Sequence, residues 1–516
     1  MLQGLEVVVS FCRENTVVNF SRDVLERLPA DHTALVELAR DGSRRSWTFA
    51  EVGARSASLA GSLRTRGVGR GDVVMTLIGN RPEWVLAMCA CFHIGAVVLP
   101  CTEQLRAKDL RARIAVAGPS LILADERNRA QLESALAGDA GPPQDPPPVL
   151  LVPDESLFAA PAVPPLELAP TDPCLITFTS GTAGEPKAVL HGQRYLDGQR
   201  LQADHWLNAR AGELVWCTAA SGWSKSARNV FIAPWLHGAG ALLHDARFDP
   251  HERLALLESE RVNVLCMAPT EYRVIAKRTG LRALAGLRQL VAAGEALNPE
   301  VLHAWRDATG LTIRDGYGQT ETGKLTATAS AEGARPGSMG KALPGVQLSV
   351  SDGELIAAPH TVPTFFLGYL GEGARRARDG RWTVADRRDQ GPWHTGDRVR
   401  EDEHGYLWFQ GRADDVIVSA GYRIGPFEVE SALVAHPAVA EAAAVAAPDE
   451  ERGSVVRAVV VLRPGHAPTP ELRCELQDHV KRETAPYKYP RILEFAAELP
   501  KTASGKIRRA ALRAGA

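Results

Sequence analysis

With 516 residues the chain exceeds what a single hydrophobic core organises, so at least two domains are expected. Hydrophobic residues make up 45% and charged residues 23%, and 59 Lys plus Arg against 61 Asp plus Glu leave a formal charge of −2. That balance argues against a nucleic-acid or anionic-membrane binder, which would carry a basic surplus, and suits chemistry on small molecules.

The N-terminal run Val7-Val8-Val9 lacks preceding basic residues, and no stretch approaches the ~20 apolar residues of a membrane helix. Eight cysteines are scattered, with Cys89 and Cys91 the one close pair and no CxxC or Cys/His spacing that would suggest zinc. A soluble, cytoplasmic protein with reduced thiols is the expectation. From Trp47 onward helix and strand signals alternate. Val52 to Leu63 has near-helical apolar spacing and stops at Gly67-Val68-Gly69. Val73 to Ile78 is a short apolar run and reads as a strand covered on both faces. A helix from Pro82 to about His93 follows, then strands at Val97-Val98-Leu99 and Leu121-Ile122-Leu123. Such alternation predicts parallel strands in an α/β fold. Gly138 to Pro173, rich in proline, reads as a loop or surface connection.

The connection leads into Thr177-Phe178-Thr179-Ser180-Gly181-Thr182-Ala183-Gly184-Glu185-Pro186-Lys187. Glycines permit backbone N–H groups to converge on an anion, and the hydroxyls add donors, so the loop suits phosphate. Lys187 follows proline and precedes Ala188, which departs from a Walker A sequence and disfavours that class of NTPase. Alone, the stretch also reads as a plain surface turn. Strand-like runs return at Leu214 to Cys217, Ala241 to Leu243, Val262 to Met267 and Leu287 to Val291, predicting a second α/β unit. Ala293-Gly294-Glu295-Ala296 follows the last of these, where parallel sheets commonly seat ligands; a capped strand-to-helix turn is the other reading. In Asp315-Gly316-Tyr317-Gly318-Gln319-Thr320-Glu321-Thr322 an aromatic ring between glycines can face a base, and Thr320 and Glu321 can meet a phosphate and its Mg²⁺.

From Gly345 short strands and turns take over: Leu348 to Val350, Gly353 to Ile356, Trp382 to Val384 and Tyr406 to Phe409. Within them lies Trp393-His394-Thr395-Gly396-Asp397, whose aspartate can hold ribose hydroxyls. Gly411-Arg412-Ala413-Asp414-Asp415 is the candidate hinge. It divides residues 1–411, a large domain of two α/β subdomains plus a small β region, from residues 412–516, a small mobile α+β domain. The smaller unit has apolar runs at Val416 to Val418, Ala443 to Val445 and Val456 to Leu462, and ends with Lys501-Thr502-Ala503-Ser504-Gly505-Lys506.

Together and in this order, the glycine loop, Gly294-Glu295, the Tyr317 stretch, Asp397 and Lys506 resemble the acyl-adenylate-forming ligases over nearly the whole chain. Gly222-Trp223-Ser224-Lys225-Ser226-Ala227, Ala268 to Arg273 and Ala485 to Arg491 look most similar to the medium-chain acyl-CoA synthetases. The resemblance implies an ATP-dependent ligase that makes acyl-AMP and then acyl-CoA, using Mg²⁺ and coenzyme A. Thr179, Ser180, Gly181, Thr182, Gly184 and Lys187 would hold the ATP phosphates. Gly294, Glu295, Ala296, Asp315, Gly316 and Tyr317 would form the adenine slot, Thr320 and Glu321 would meet the α-phosphate and the metal, and Asp397 with Arg412 would fix the ribose. Asp414 matches the hinge, Gly421 and Arg423 lie in the strand that swings in for the thiol step, Arg423 would also meet the nucleotide, Gly421 and Tyr422 would meet coenzyme A, and Lys506 matches the adenylation lysine. Ala183 and Ala420 depart from the family pattern.

Trp223 with Lys225 nearby would line the acyl pocket, although a packed core indole is equally compatible with Trp223. Arg228 is unexpected where the relatives favour bulky apolar residues: facing the pocket it would favour an acid with a polar or anionic end, and facing solvent it would say nothing. Aryl acids, a carrier-protein acceptor and a phosphotransferase or NTPase remain the alternatives. A homodimer is left open.

Overall fold

The computed structural model describes residues 18–137, 146–179, 186–295, 297, 299–330, 333–377, 381–413, 415–419, 422–449, 452–502 and 505–514. The chain forms an α/β structure with a large N-terminal domain and a smaller C-terminal one. Two seven-stranded sheets dominate the large domain. In spatial order the first runs Gly368–Tyr369, Ala188–Gly192, Pro173–Phe178, Val97–Cys101, Val73–Leu77, Leu121–Asp125 and Val149–Val152. The second runs Ile313–Asp315, Gln289–Ala292, Val264–Met267, Leu214–Cys217, Gly240–His244, Thr33–Leu38 and Arg44–Thr48.

The central strands are parallel and buried along their whole length, as at Val73–Leu77 and Val97–Cys101, which is why they read as unbroken apolar runs. Each buried Val, Leu or Met there contributes about 1.5–3 kcal/mol over exposure. The edges depart from the parallel expectation: Ala188–Gly192 pairs antiparallel with Pro173–Phe178, and Arg44–Thr48 pairs antiparallel with Thr33–Leu38. The connection expected at Gly138 to Pro173 also contains a strand, Val149–Val152, parallel to Leu121–Asp125. Its flanking prolines obscured it, and they are tolerated because the strand lies at the sheet edge.

Helix ends follow local chemistry. Phe49–Thr65 starts at a reciprocal cap in which Glu51 N–H donates to Thr48 Oγ1 (3.2 Å) and Thr48 N–H to Glu51 Oε2 (2.7 Å). Pro82–Ile94 begins on its proline and closes at Gly95 with φ +68°. The two sheets are joined by charge: Arg127 Nη1 pairs with Asp245 Oδ2 at 2.7 Å after one sheet, and its Nη2 with Asp125 Oδ2 at 2.9 Å in the other. Arg81 holds the same Asp125 at 2.7 Å.

A four-stranded antiparallel sheet, Leu348–Ser351, Glu354–Ala357, Trp393–Glu401 and Leu407–Arg412, completes the large domain as the compact β region. In the smaller domain Val439–Asp449, Gly453–Leu462 and Ile492–Phe495 form a sheet, with helices Pro426–Ala435 and Pro470–Glu483 over it. Ile417, Val429, Leu433, Val460, Leu476 and Val480 give it a core of its own. At the junction Gly425 packs on Gln410 so closely that a Cβ would lie 2.1 Å from the Gln410 carbonyl oxygen. None of the helices among the described residues is long and apolar enough to cross a membrane.

Candidate active site

A cleft of about 1870 Å³ opens at the carboxyl ends of the second sheet's parallel strands and is closed on its far side by the C-terminal domain. Thr218 follows the strand Leu214–Cys217, Ala268 follows Val264–Met267, and Gly294 follows Gln289–Ala292; all three line the cleft. Glu430, Arg509 and Lys506 line it from the C-terminal side.

Asp397 organises one wall. It stands in Trp393–Glu401 directly opposite Arg412. Its Oδ2 accepts Gln319 Nε2 at 2.8 Å and the Tyr317 hydroxyl, and its Oδ1 accepts Arg412 Nη1 at 3.2 Å. Arg412 also donates to the Thr395 carbonyl at 3.1 Å, and Trp393 Nε1 holds Gln319 at 2.9 Å. Burial raises the Asp397 carboxyl above the usual carboxylate range, and the guanidinium of Arg412 opposes that rise. Tyr317 is therefore tied through its hydroxyl and has its ring against the cleft.

Glu321 lies nearby, its Oε1 accepting the Tyr369 hydroxyl at 2.8 Å, and burial raises its carboxyl. Lys187 reaches over the Tyr369 ring at 4.6 Å and pairs with Glu372 at 3.3 Å. The base of the glycine loop is pinched by two bonds, Thr179 N–H to the Lys187 carbonyl and Lys187 N–H to Thr179 Oγ1, both 2.9 Å. Thr320 lines the cleft beside Glu321. Glu295 Oε2 accepts Thr270 Oγ1 at 2.6 Å. Asp315 accepts the Gly316 N–H at 2.8 Å, and burial pushes its carboxyl up to about 7.

Trp223 lines the cleft rather than lying in the closed core, and Lys225 Nζ donates to the Ala293 carbonyl at 3.4 Å. Gly222 precedes them with φ +88°, and a Cβ there would sit 2.3 Å from Thr102 N and 2.5 Å from Cys101 C. Gly222→Ala is expected to cost about 3 kcal/mol through strain and overlap, read as a lower urea midpoint together with lost turnover. Arg228 faces the cleft as well and is 6% exposed.

Lys506 enters from the C-terminal domain on a turn closed by its N–H to Thr502 Oγ1 (3.2 Å) and by the bridge Lys501↔Ile507. Its ammonium is lowered from the ordinary 10.5 by burial and then by Lys225, with Glu295 and Asp397 opposing. Residues more than a hundred positions apart thus share one electrostatic neighbourhood.

The structure brings Thr179, Lys187, Gly294, Glu295, Asp315, Gly316, Tyr317, Thr320, Glu321, Asp397, Arg412, Trp223, Lys225 and Lys506 to this cleft. Tyr422 is not among them: it is 51% exposed and stacks on Tyr487 at 4.3 Å. Arg423 pairs by its backbone with Val418. Ser180, Gly181, Thr182, Ala183, Gly184, Ala296, Asp414, Ala420 and Gly421 lie outside the described residues. Sequence reading missed Tyr369, which orients Glu321, and Lys324, whose Nζ donates to the Gly316 carbonyl at 3.2 Å. A lysine within the otherwise uncharged run Thr322 to Ser330 was the available signal for the latter.

Comparison with known proteins agrees with this geometry. Residues 21–368 match the AMP-binding enzyme family and residues 428–506 its C-terminal domain family. The chain is 38% identical to the uncharacterized acyl-CoA ligase YtcI of Bacillus subtilis, covering 93% of this chain and 92% of that one. It is 39% identical to the human mitochondrial acyl-coenzyme A synthetase ACSM4, over 96% of this chain and 90% of the relative. The solved anthranilate CoA ligase AuaEII, in complex with anthranoyl-AMP, superposes with a TM-score of 0.84 at 27% identity, covering 97% of each chain. With a nucleotide-sized cleft, both family matches in order and relatives of this identity along almost its full length, the chain belongs to the AMP-binding enzyme family, among the acyl-CoA synthetases.

Proposed function

We propose that the protein activates a medium-chain fatty acid, or a related carboxylic acid, as its acyl-AMP and then transfers the acyl group to coenzyme A. The observation that carries this reading is Lys506: a C-terminal-domain lysine meets Asp397 and Glu295 of the large domain, and Arg412 at the boundary, in one cleft. In the first step a carboxylate oxygen of the acid attacks the α-phosphorus of ATP, the bond from that phosphorus to the bridging oxygen breaks, and pyrophosphate departs. Two anions must approach, and Lys506 between them offsets the repulsion and the charge that collects in the transition state. Asp397, held by Tyr317, Gln319 and Arg412, fixes the ribose, while Thr179 and Lys187 with the rest of their loop hold the phosphates.

Glu321 is one buried carboxylate oriented by Tyr369, a donor set that fits Mg²⁺, which takes one or two carboxylates and fills its shell with phosphate oxygens and water. When bound, Mg²⁺ neutralises phosphate charge and eases loss of pyrophosphate. In the second step the coenzyme A sulfur attacks the acyl carbon, AMP leaves, and the thiol proton passes to solvent. Our reading places the boundary between residues 411 and 412, with rotation near Asp414 carrying Lys506 out and the Gly421–Tyr422 strand in. The exposed Tyr422–Tyr487 stack is compatible with a role that begins only after that rotation.

Incubation with ATP, Mg²⁺, coenzyme A and a panel of short, medium, branched and aromatic acids should yield AMP, pyrophosphate and a thioester. ADP without AMP would overturn the ligase reading, and dependence on an added carrier protein would reassign the acceptor. Best turnover on aromatic acids would favour the aryl-acid alternative.

A further inference from the structure

The acyl half of the cleft carries cations that the chemistry above does not use. Arg228 sits on Arg228–Ile232, 6% exposed, and lines the cleft. Its Nε and Nη1 are buried without a hydrogen-bond partner, and no carboxylate among the described residues lies within 4.0 Å of its guanidinium. Lys324 is 4% exposed and lines the same wall; it stands 3.4 Å over the Trp206 ring, with the Gly316 carbonyl as its acceptor. It too has no carboxylate within 4.0 Å among the described residues.

The two cations act on each other. Lys324 is pushed down to about 7 by burial and then by Arg228, and His191 down to about 3 by burial and then by Arg228. The charges acting most strongly on Lys506, by contrast, are Lys225, Glu295, Asp397 and Arg412. Arg228 is not among those charges, while Lys324, which Lys225 and Asp315 also reach and which bonds the Gly316 carbonyl, stands between Arg228 and the Asp315–Tyr317 stretch. A buried guanidinium without a counter-ion is strongly destabilising unless something pairs with it. The Arg228 side chain meets the Tyr195 hydroxyl, and a plain hydrocarbon tail would leave the charge without a counter-ion. An anionic group, held by the planar fork of an arginine, is the partner whose charge and geometry match.

We propose that the acid activated by this enzyme carries a second carboxylate, which Arg228, backed by Lys324, receives in the acyl half of the cleft while the first carboxylate meets Lys506. This deepens the acid–thiol ligase reading and rests on it. The reaction is unchanged in its bonds: one carboxylate becomes the thioester, and the other stays ionised as the recognition group.

The test uses the full chain with ATP, Mg²⁺ and coenzyme A, and compares acids of matched length: hexanoate, adipate and adipate monomethyl ester, then octanoate and suberate. In the wild type kcat/KM for AMP formation should favour the dicarboxylate by about tenfold or more over the fatty acid, with the monoester behaving like the fatty acid. Arg228→Leu should lower kcat/KM for the dicarboxylate about 100-fold and reverse the preference, while Arg228→Lys retains part of it. A fatty acid that outruns its dicarboxylate at both lengths, or a preference unchanged in Arg228→Leu, would overturn the proposal. If Arg228→Leu does not fold, the wild-type panel and Arg228→Lys decide by the same ratio. Failure of every acid to give AMP would remove the ligase reading itself, whereas turnover of fatty acids alone overturns only the second-carboxylate assignment.

Discussion

Replacing Lys506 by alanine is expected to cut acyl-AMP formation from acid and ATP about a thousandfold, while thioester formation from supplied acyl-AMP and coenzyme A stays within about a factor of three. The asymmetry follows from position. Lys506 is the cation that the C-terminal domain brings to the cleft wall shared by Lys225, Glu295 and Asp397. On the proposed reading its work lies in the step where carboxylate and polyphosphate approach, because later the thiol attacks an anhydride whose acyl carbon bears no such charge. Pyrophosphate release and thioester formation, measured separately, check this; equal loss in both would remove the role assigned to Lys506. The same lysine sets a pH limit. Burial and Lys225 lower its ammonium from 10.5, so the charge is present below that shifted value and lost as pH rises through it. Adenylation should therefore decline on its alkaline side at a pH below 10.5, and Lys506→Arg should move the decline upward.

Asp397→Ala is expected to raise the KM for ATP about 100-fold, with a smaller fall in kcat. One carboxylate gathers three partners, Tyr317, Gln319 and Arg412, so its loss removes one hold from each at once, although the Thr395 carbonyl still takes Gln319 and Arg412. Asp397→Asn keeps the shape but removes the carboxylate charge that faces Arg412, and it should fall between the wild type and alanine. ATP titrations at saturating acid, together with equilibrium binding of AMP, decide the matter. An unaltered ATP KM in Asp397→Ala would show that the carboxylate orders its neighbours without meeting nucleotide.

What the sequence made visible follows from how each feature is encoded. Val73–Leu77 and Val97–Cys101 were readable because strands covered on both faces need apolar side chains at every position. Val149–Val152 was hidden by its prolines, and Thr33–Leu38 was overlooked because its partner, Gly240–His244, lies some two hundred residues downstream. Asp397, Glu321 and Lys506 were legible through short polar stretches in a fixed order. Tyr369 was not, since its service to Glu321 depends on a strand pairing, Gly368–Tyr369 with Val189 and Leu190, that no local spacing encodes. Arg228 stood out as an anomaly, and the fold decided that its side chain faces the cleft.

The nearness of Lys506 to Lys225 has a consequence for timing. In the empty cleft the Lys506 ammonium meets the like charges of Lys225 and Arg412 as well as the carboxylates of Glu295 and Asp397, and on the proposed reading ATP and the acid add the anions that favour the closed arrangement. Forming the anhydride and releasing pyrophosphate then discharges most of that negative charge. On the proposed reading, the enzyme needs no separate latch: substrate charge winds a spring between the domains, and its loss lets the spring recoil toward the thiol step.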